Sequence, residues 1–190
     1  KIGSQRCSIY ARVGLTSPTR RRSVFTLRST GNIAIGFRRD KDIPSLIERV
    51  PNSFGILGSD ALFEQPPEFS KTIAAGVIGR LAARFAVAAR REEATEVLSR
   101  LRGGEKLNWA TSNPRQLETN ALRYGFGVAD VLELGGSVEA ALDDDPELDV
   151  VLDIVSTGKT MVANKLEIIQ DNVAGVALMG ICKQSLVSKK

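Results

Sequence analysis

The sequence of 190 residues contains no histidine. This absence removes the commonest catalytic base, the Ser-His and Cys-His nucleophile pairs, and transition-metal sites ligated by histidine. The chemistry left to the chain uses carboxylates, lysine, arginine, hydroxyl groups and backbone amides. These groups suit the binding of phosphorylated ligands, in which electrostatics and an oxygen-bound magnesium ion balance the charge.

Cysteine is scarce, and long apolar runs are missing. The two cysteines, Cys7 and Cys182, lie far apart and form no CxxC pair, so we expect neither a disulfide framework nor a zinc site. No apolar run approaches the roughly 20 residues needed to cross a bilayer, and residues 1–8 lack the apolar core of a signal peptide. The sequence therefore predicts a soluble, cytoplasmic protein with no membrane partner.

Hydrophobic residues make up 43% of the chain, enough for the core of one large domain or two small lobes. The net charge of +4 is unevenly spread, because residues 1–50 hold 11 Lys/Arg against 3 Asp/Glu. No aromatic interleaving or helix-turn-helix pattern accompanies the arginines at 20–22. The basic segment predicts a solvated turn, or a surface that meets an anionic ligand or a partner subunit, rather than one that binds nucleic acid.

Strand and helix patterns alternate along the chain. Apolar strands are predicted at residues 32–37, 54–57, 73–78, 81–89, 107–111, 128–134, 149–154, 166–170 and 173–179. Helices are predicted at residues 43–50, 61–64, 92–101, 114–124 and 138–142. This alternation predicts an α/β fold with largely parallel sheets, whose ligands bind in loops beyond the carboxyl ends of the strands.

Residues 150–161 (VVLDIVSTGKTM) give the strongest chemical signal. Gly158 allows backbone N–H groups to approach a phosphate closely, and a helix starting after it would complete a positively polarised cradle. Asp153, near the strand end, can accept hydrogen bonds from ribose hydroxyls. Lys159 adds positive charge or points into solvent. Hydroxyl donors are supplied by Ser156, Thr157 and Thr160.

Two rival motifs fail on their spacing. The letters GKT at 158–160 match the end of a Walker A loop, but that motif requires glycine where this chain has Asp153. Residues 125–130 (GFGVAD) stop short of a complete G-x-G-x-x-G and are typical of a helix-to-strand turn. An ordinary capped turn remains an alternative for the 153–161 segment.

The segment LDIVSTGKTM at 152–161 resembles the phosphoribosyl pyrophosphate signature of ATP phosphoribosyltransferases, the first enzymes of histidine biosynthesis. Further segments resemble landmarks of that family in the same order along the chain: DIP at 42–44, FGILGSD at 54–60, ATSNP at 110–114 and GSVE at 136–139. The resemblance spans about residues 32–180, and the combination is more specific than any one short motif.

The resemblance implies a two-lobed α/β core like that of type II periplasmic binding proteins. Lobe one would hold residues 1–82 and 164–190, and lobe two residues 83–163, with the substrates in the cleft. The implied reaction joins N1 of the adenine of ATP to C1 of phosphoribosyl pyrophosphate and releases pyrophosphate, with Mg²⁺ present. The chain ends before the family's regulatory domain, so we expect a short form that is a homo-oligomer and works with a synthetase-like regulatory subunit.

By the same resemblance, particular residues receive roles. The ribose 5-phosphate would be bound by Asp153, Ser156, Thr157, Gly158, Lys159 and Thr160, with Asp153 and Lys159 as the catalytic residues. The nucleotide would be bound by Arg6, Arg39, Asp60, Gly136, Ser137 and Glu139. No residue is assigned to a metal.

Two segments depart from the family's pattern. Where the family opens with a P-K-G-R-L turn, this chain has QRCSI at 5–9, and a paired arginine of the middle-lobe helix is missing from LETNAL at 117–122. Two alternatives therefore stay open: a diverged phosphoribosyltransferase with another acceptor, and a non-catalytic two-lobed binding module. Away from the loops, we expect Trp109 in the core and Arg90 with Arg91 on a solvated edge.

Overall fold

A computed structural model describes residues 7–13, 26–30 and 33–187, with side chains from residue 35 onward. The chain forms two compact units: unit 1 comprises residues 1–81 and 177–190, and unit 2 comprises residues 82–176. Compared with the lobes expected from the sequence, residues 164–176 fall in unit 2 rather than with the chain ends. The predicted nucleotide ligand Arg6 lies outside the described residues.

Unit 1 is built on antiparallel strands. They are β1 Cys7–Val13, β2 Thr26–Thr30, β3 Ile33–Arg39, β4 Ser53–Gly58 and parts of two long strands, β5 Ile73–Arg90 and β9 Leu166–Lys183. The order begins β2-β3-β1-β4-β9, and the pairings β2–β3, β1–β3, β1–β4 and β4–β9 are all antiparallel. The prediction of largely parallel sheets is wrong here. Only two residues separate β2 from β3, whereas a parallel crossover needs a dozen or more.

The core of unit 1 lies between its sheet and short helices. These are α1 Ile43–Arg49, α2 Ser59–Phe63 and α3 Phe69–Thr72. A further short helix near the end of the chain, α8 Gln184–Val187, contributes no buried residue. Pro44 stands in the first turn of α1, as the sequence predicts. At Gly55 of β4, a Cβ atom would lie 2.5 Å from Cγ2 of Ile43, so glycine lets α1 pack closely on the strand.

Unit 2 contains the parallel part of the fold. Its further strands are β6 Lys106–Thr111, β7 Gly127–Glu133 and β8 Val150–Val155, in the order β9-β5-β8-β6-β7. Its helices are α4 Ala94–Arg102, α5 Pro114–Tyr124, α6 Ala141–Asp144 and α7 Lys159–Ala163. Strand β6 runs parallel to both β7 and β8, while β5 is antiparallel to β8.

Strand β5 is buried on both faces within unit 2. Phe85, Val87 and Ala89 belong to one apolar cluster, and Ala86 with Ala88 belongs to another. A strand covered on both sides needs apolar residues at every position, which explains its continuous apolar run. The prediction of strand rather than helix for this alanine-rich segment is confirmed.

Trp109 on β6 is fully buried in the first of these clusters, as predicted. Its indole Nε1–H donates to the carbonyl of Gly127, 3.0 Å away, so the one polar atom of the ring is satisfied.

The two long strands differ from the prediction, which divided each into two. Strands β5 and β9 each run for 18 residues without a break. The predicted strands 166–170 and 173–179 leave out Asp171 and Asn172, but β9 continues through both residues, with Asn172 at a φ of 54°. Asparagine tolerates this left-handed conformation better than most residues.

The solvated edge predicted at Arg90 is wrong. Its guanidinium donates to the carbonyls of Leu142, Asp145 and Leu148 at 2.5 to 3.1 Å and to the carboxylate of Glu93 at 3.1 Å. The neighbouring Arg91 is exposed. A sequence shows two adjacent arginines, but only the tertiary structure brings three carbonyl groups to one of them.

Candidate functional site

Three loops of unit 2 leave the sheet at the same edge. Because β6, β7 and β8 run parallel, their carboxyl ends lie side by side. Residues 112–113 follow β6, residues 134–137 follow β7 and residues 156–158 follow β8. We call the last two the β7 loop and the β8 loop. The sequence pattern predicted ligand contacts in loops of this kind.

The β8 loop joins a buried strand to the start of α7. Ser156 and Thr157 are exposed, and Gly158 takes a φ of 75° immediately before the helix. This left-handed conformation costs a residue with a side chain roughly 1–2 kcal/mol, and glycine adopts it freely. Lys159 and Thr160 in the first turn of α7 are also exposed. The loop and the first turn of α7 therefore present three hydroxyl-bearing side chains and one ammonium group to solvent.

Asp153 lies within β8, three residues before the loop. Its carboxylate Oδ1 accepts the N–H of Ile154 at 2.7 Å, and its backbone pairs with Ala86 of β5. The side chain is half-buried, in contrast to the fully buried Val151 and Leu152 before it. A carboxylate near the carboxyl end of a core strand is where the sequence predicted an acceptor for ribose hydroxyls.

The β7 loop and the 3₁₀ turn after it carry the residues predicted to bind the nucleotide within unit 2. Gly136 and Ser137 are exposed, and Ser137 has a φ of 53°, a conformation that is unusual for serine. Val138 and the half-buried Glu139 follow in a single 3₁₀ turn. The N–H of Leu134 donates to the carbonyl of Thr111 at 2.9 Å, which ties the start of this loop to β6.

The β7 and β8 loops share one apolar base. Val138, directly after the first loop, and Met161 from α7 belong to the same buried cluster as Val155, the last residue of β8. The structure therefore brings the predicted phosphate-binding and nucleotide-binding segments of unit 2 onto a common support.

The loop after β6 is held by buried polar contacts. Thr111 donates its hydroxyl to the carbonyl of Leu152 on β8 at 2.9 Å, and accepts the N–H of Asn113 at 3.0 Å. The side chain of Asn113 is buried and accepts a hydrogen bond from the Ser112 hydroxyl at 2.9 Å. This network fixes the start of α5 beside the end of β8.

Two predicted nucleotide ligands lie in unit 1. Arg39 is exposed at the end of β3, and Asp60 is buried in the first turn of α2. At Gly58, which precedes that helix, an added Cβ would collide with the Asp60 carboxylate. A side chain at position 58 would therefore displace Asp60. Their joint role with the loops of unit 2 stays a prediction.

Sequence reasoning missed an ion pair beside the β8 loop. Arg84 on β5 donates from Nε and Nη2 to the two carboxylate oxygens of Asp171 on β9, at 2.6 and 2.8 Å. Its Nη1 donates to the carbonyl of Ser156 at 3.1 Å. The hydrogen bonds from Arg84 lower the pKa of Asp171, although partial burial opposes the shift. The available signal was Arg84 itself, the lone charge within LAARFAVAA.

Within the side chains that the structure describes, residues 35–187, no group of three or more Cys, Asp or Glu residues is arranged to bind a metal ion. Among the described helices, none is both long enough and apolar enough to span a bilayer.

One protein family matches this chain across the segments that form the site. The model of the HisG family, described as ATP phosphoribosyltransferase, matches residues 39–189. The chain belongs to the HisG family. The HisG match includes the β7 loop, the β8 loop, Arg39 and Asp60, and it begins after Arg6. The resemblance inferred from LDIVSTGKTM and its companion motifs is therefore confirmed at the level of the family.

Curated members of the HisG family show moderate identity to this chain. The ATP phosphoribosyltransferase of Rubrobacter xylanophilus is 31% identical over 144 residues, covering 74% of this chain and 63% of that protein. The enzyme of Symbiobacterium thermophilum is 29% identical over 136 residues, covering 70% and 57%. That of Moorella thermoacetica is 30% identical over 176 residues, covering 87% and 73%. The chain spans less than two thirds of the first two relatives.

A solved HisG structure shows the same fold. The ATP phosphoribosyl transferase (HisG:HisZ) complex from Thermotoga maritima contains a chain with a TM-score of 0.61 and 21% identity. The alignment covers 92% of this chain and 79% of that one. The predicted α/β fold class is therefore confirmed.

Proposed function

We propose that this chain transfers the phosphoribosyl group of phosphoribosyl pyrophosphate to N1 of ATP and releases pyrophosphate, which is the first step of histidine biosynthesis. The observation that carries the proposal is the HisG match across the β8 loop, where Gly158 takes a left-handed conformation between a buried strand and a helix. Such a turn lets backbone N–H groups surround a phosphate.

The 5-phosphate of the donor sits in the β8 loop, with the hydroxyls of Ser156, Thr157 and Thr160 as donors. Lys159 adds a positive charge at the same loop. Asp153 accepts hydrogen bonds from the ribose hydroxyls and lies on the strand that leads into the loop. Together these contacts fix the sugar so that C1 is open to attack.

During the transfer, the bond from C1 to the pyrophosphate oxygen breaks and a bond from N1 of adenine to C1 forms. The transition state has oxocarbenium character, so positive charge develops on the ribose while negative charge grows on the leaving pyrophosphate. The carboxylate of Asp153 stabilises the positive charge that develops on the ribose. No covalent nucleophile is required, which suits a chain without histidine.

Mg²⁺ fits as an ion carried by the donor rather than by a protein cage. It commonly binds through one or two carboxylates together with phosphate oxygens of a substrate, and Asp153 provides a carboxylate close to the β8 loop. When bound, the ion neutralises charge on the leaving pyrophosphate.

The acceptor nucleotide is assigned to Gly136, Ser137 and Glu139 of the β7 loop region. This assignment is supported by the β7 and β8 loops, which leave the unit 2 sheet at the same edge. By resemblance to the family, Arg6, Arg39 and Asp60 are the further expected nucleotide ligands. A different acceptor is the second candidate, favoured by the altered QRCSI turn at residues 5–9.

The proposed assembly is a homo-oligomer that works in the cytoplasm with a synthetase-like regulatory subunit. Support comes from the similar solved structure, which is a HisG:HisZ complex. Co-purification of this chain with such a subunit, followed by measurement of the complex mass, tests the assembly.

The activity is tested by incubating the protein with Mg²⁺, phosphoribosyl pyrophosphate and ATP, and by measuring pyrophosphate and the mass of the product. We expect Asp153→Ala to reduce turnover by at least about a hundredfold, because it removes a group that stabilises the transition state. Gly158→Val is expected to abolish turnover, since a branched side chain is strained at positive φ and would distort the loop.

A matched control for the glycine is Gly125, which has a φ of 74° at the end of α5. Gly125→Ala and Gly158→Ala should each lose about 1–2 kcal/mol of stability, but only the second should weaken donor binding. Equal turnover in Asp153→Ala, Gly158→Val and the unmodified chain would reject the site.

The same assay separates the alternative functions. Pyrophosphate release with another acceptor but not with ATP would select the diverged transferase. Donor binding without release of pyrophosphate would select a non-catalytic binding module.

A further inference from the structure

Arg84 lies beside the β8 loop through the pairing of two strands. Its backbone is opposite Val155, the last residue of β8, in the antiparallel pair of β5 and β8. From that position its Nη1 reaches the carbonyl of Ser156, the first residue of the loop, at 3.1 Å. The contact joins residues 72 positions apart, so it is a product of the sheet.

Asp171 holds the guanidinium in a fixed orientation. Two parallel hydrogen bonds of 2.6 and 2.8 Å make the pair bidentate, and Asp171 also accepts the N–H of Asn172 at 2.8 Å. A planar guanidinium held at two nitrogens has little freedom to rotate. Its third nitrogen therefore meets the Ser156 carbonyl in a defined direction.

The orientation of that carbonyl decides the orientation of the next amide. In a trans peptide, the C=O of one residue and the N–H of the following residue point in opposite directions within one plane. None of the described peptide bonds is cis. With the Ser156 carbonyl directed towards Arg84, the N–H of Thr157 points away from Arg84.

We propose that Arg84, held by Asp171, is a positioning residue that presents the Thr157 N–H to the 5-phosphate of the donor. This inference rests on the proposed function of the β8 loop. Arg84 acts through the backbone and does not touch the substrate. Its charge is balanced by Asp171, so its contribution is the geometry of the loop rather than net positive charge.

The competing role for an arginine at this point is direct binding of a phosphate. The two roles predict opposite effects when Asp171 is replaced. A positioning role requires Asp171, so Asp171→Asn loosens the guanidinium and weakens donor binding. A direct role would be opposed by Asp171, so Asp171→Asn would release the guanidinium and strengthen donor binding.

The test is calorimetric titration of phosphoribosyl pyrophosphate with Mg²⁺ and no acceptor. We expect Arg84→Gln to weaken donor binding about tenfold, which is the scale of one lost charge-assisted hydrogen bond. Arg84→Lys retains the charge but not the planar fork, so it should bind the donor as weakly as Arg84→Gln does.

Turnover assays give a second readout. In Arg84→Gln the KM for the donor should rise, while the KM for the acceptor stays unchanged. Arg91→Gln, in the turn directly after β5, is the control for loss of one exposed positive charge.

A second measurement needs no ligand. Backbone hydrogen exchange in the peptide covering residues 153–161 should accelerate in Arg84→Gln and stay unchanged in Arg91→Gln. Unchanged exchange, donor affinity equal to that of the parent chain, or tighter binding in Asp171→Asn would each overturn the positioning role. If the parent chain binds no donor, the proposed function fails and this inference fails with it. If it binds donor and releases pyrophosphate while Arg84→Gln behaves identically, only this inference fails.

Discussion

Single residues at the site depend on partners that are remote along the chain. Arg84 and Asp171 are 87 positions apart, and their carboxylate–guanidinium pair is exposed enough that its contribution to overall stability is small. The pair matters locally, because the same guanidinium holds the Ser156 carbonyl. A weak surface ion pair can in this way control the shape of a loop.

The pKa of Asp171 predicts a loss of stability in acid. Hydrogen bonds from Arg84 lower this pKa, so the folded state binds the proton less readily than the unfolded chain. The stability that this pair contributes is present above the pKa of Asp171 in the unfolded chain, about 4. It is lost as the pH falls through the lower pKa that Asp171 has in the folded chain. We expect a small difference in unfolding midpoint between the parent chain and Asp171→Asn at neutral pH, and we expect it to shrink as the pH falls below about 4.

Denaturant titrations at several pH values measure this difference. Asp130→Asn, which removes an exposed carboxylate from β7, is the control for a general change of charge. A constant difference between parent and Asp171→Asn across the acid range would contradict the lowered pKa.

At the scale of the elements, the segment that follows the β7 loop is held in place by hydrogen bonds from a residue of β5. Arg90, at the end of β5, donates hydrogen bonds to the carbonyl of Leu142 in the short helix α6 and to those of Asp145 and Leu148 after it. The apolar side chains of that segment, Leu142 and Leu148, are buried in the cluster that supports both loops. The conformation of this irregular segment therefore depends on hydrogen bonds from one charged residue of a core strand.

We expect Arg90→Met to destabilise the fold by about 2–4 kcal/mol, because it leaves partly buried carbonyl groups without their charged donor. Arg91→Met removes the same charge from an exposed neighbour and should change stability by less than about 0.5 kcal/mol. Urea unfolding followed by tryptophan fluorescence measures both. Similar losses in the two variants would show that the carbonyl contacts are unimportant.

At the scale of the whole molecule, the chain's one tryptophan reports on unit 2. Trp109 is fully buried in its core, on the strand between β7 and β8. A ligand that binds only folded unit 2 stabilises it by RT ln(1 + [L]/Kd). The fluorescence transition is therefore a direct reporter of donor binding.

Phosphoribosyl pyrophosphate with Mg²⁺, at about 100 times its Kd, should raise the unfolding free energy measured from Trp109 by about 2.7 kcal/mol. Gly158→Val should show no such rise, because its loop cannot close around the phosphate. Ribose alone, without phosphates, serves as the ligand control. An equal rise in Gly158→Val would locate donor binding outside the β8 loop.

The sequence alone determined the features that depend on local pattern. Pro44 and Pro114 mark helix starts, Gly125 ends α5, and the run before Asp153 forms a buried strand. Each follows from the conformational limits of one residue or from the period of apolar residues. The order of the short motifs was likewise sufficient to indicate the HisG family.

Only the tertiary structure decided which distant residues meet. It joined the predicted half-strands into β5 and β9, made the pairing in unit 1 antiparallel, and gave Arg84 and Arg90 their partners. Strand pairing and salt bridges join residues far apart along the chain, so they depend on register and topology that no local pattern contains. The β8 loop was visible in the sequence, whereas the side chain that orients it was not.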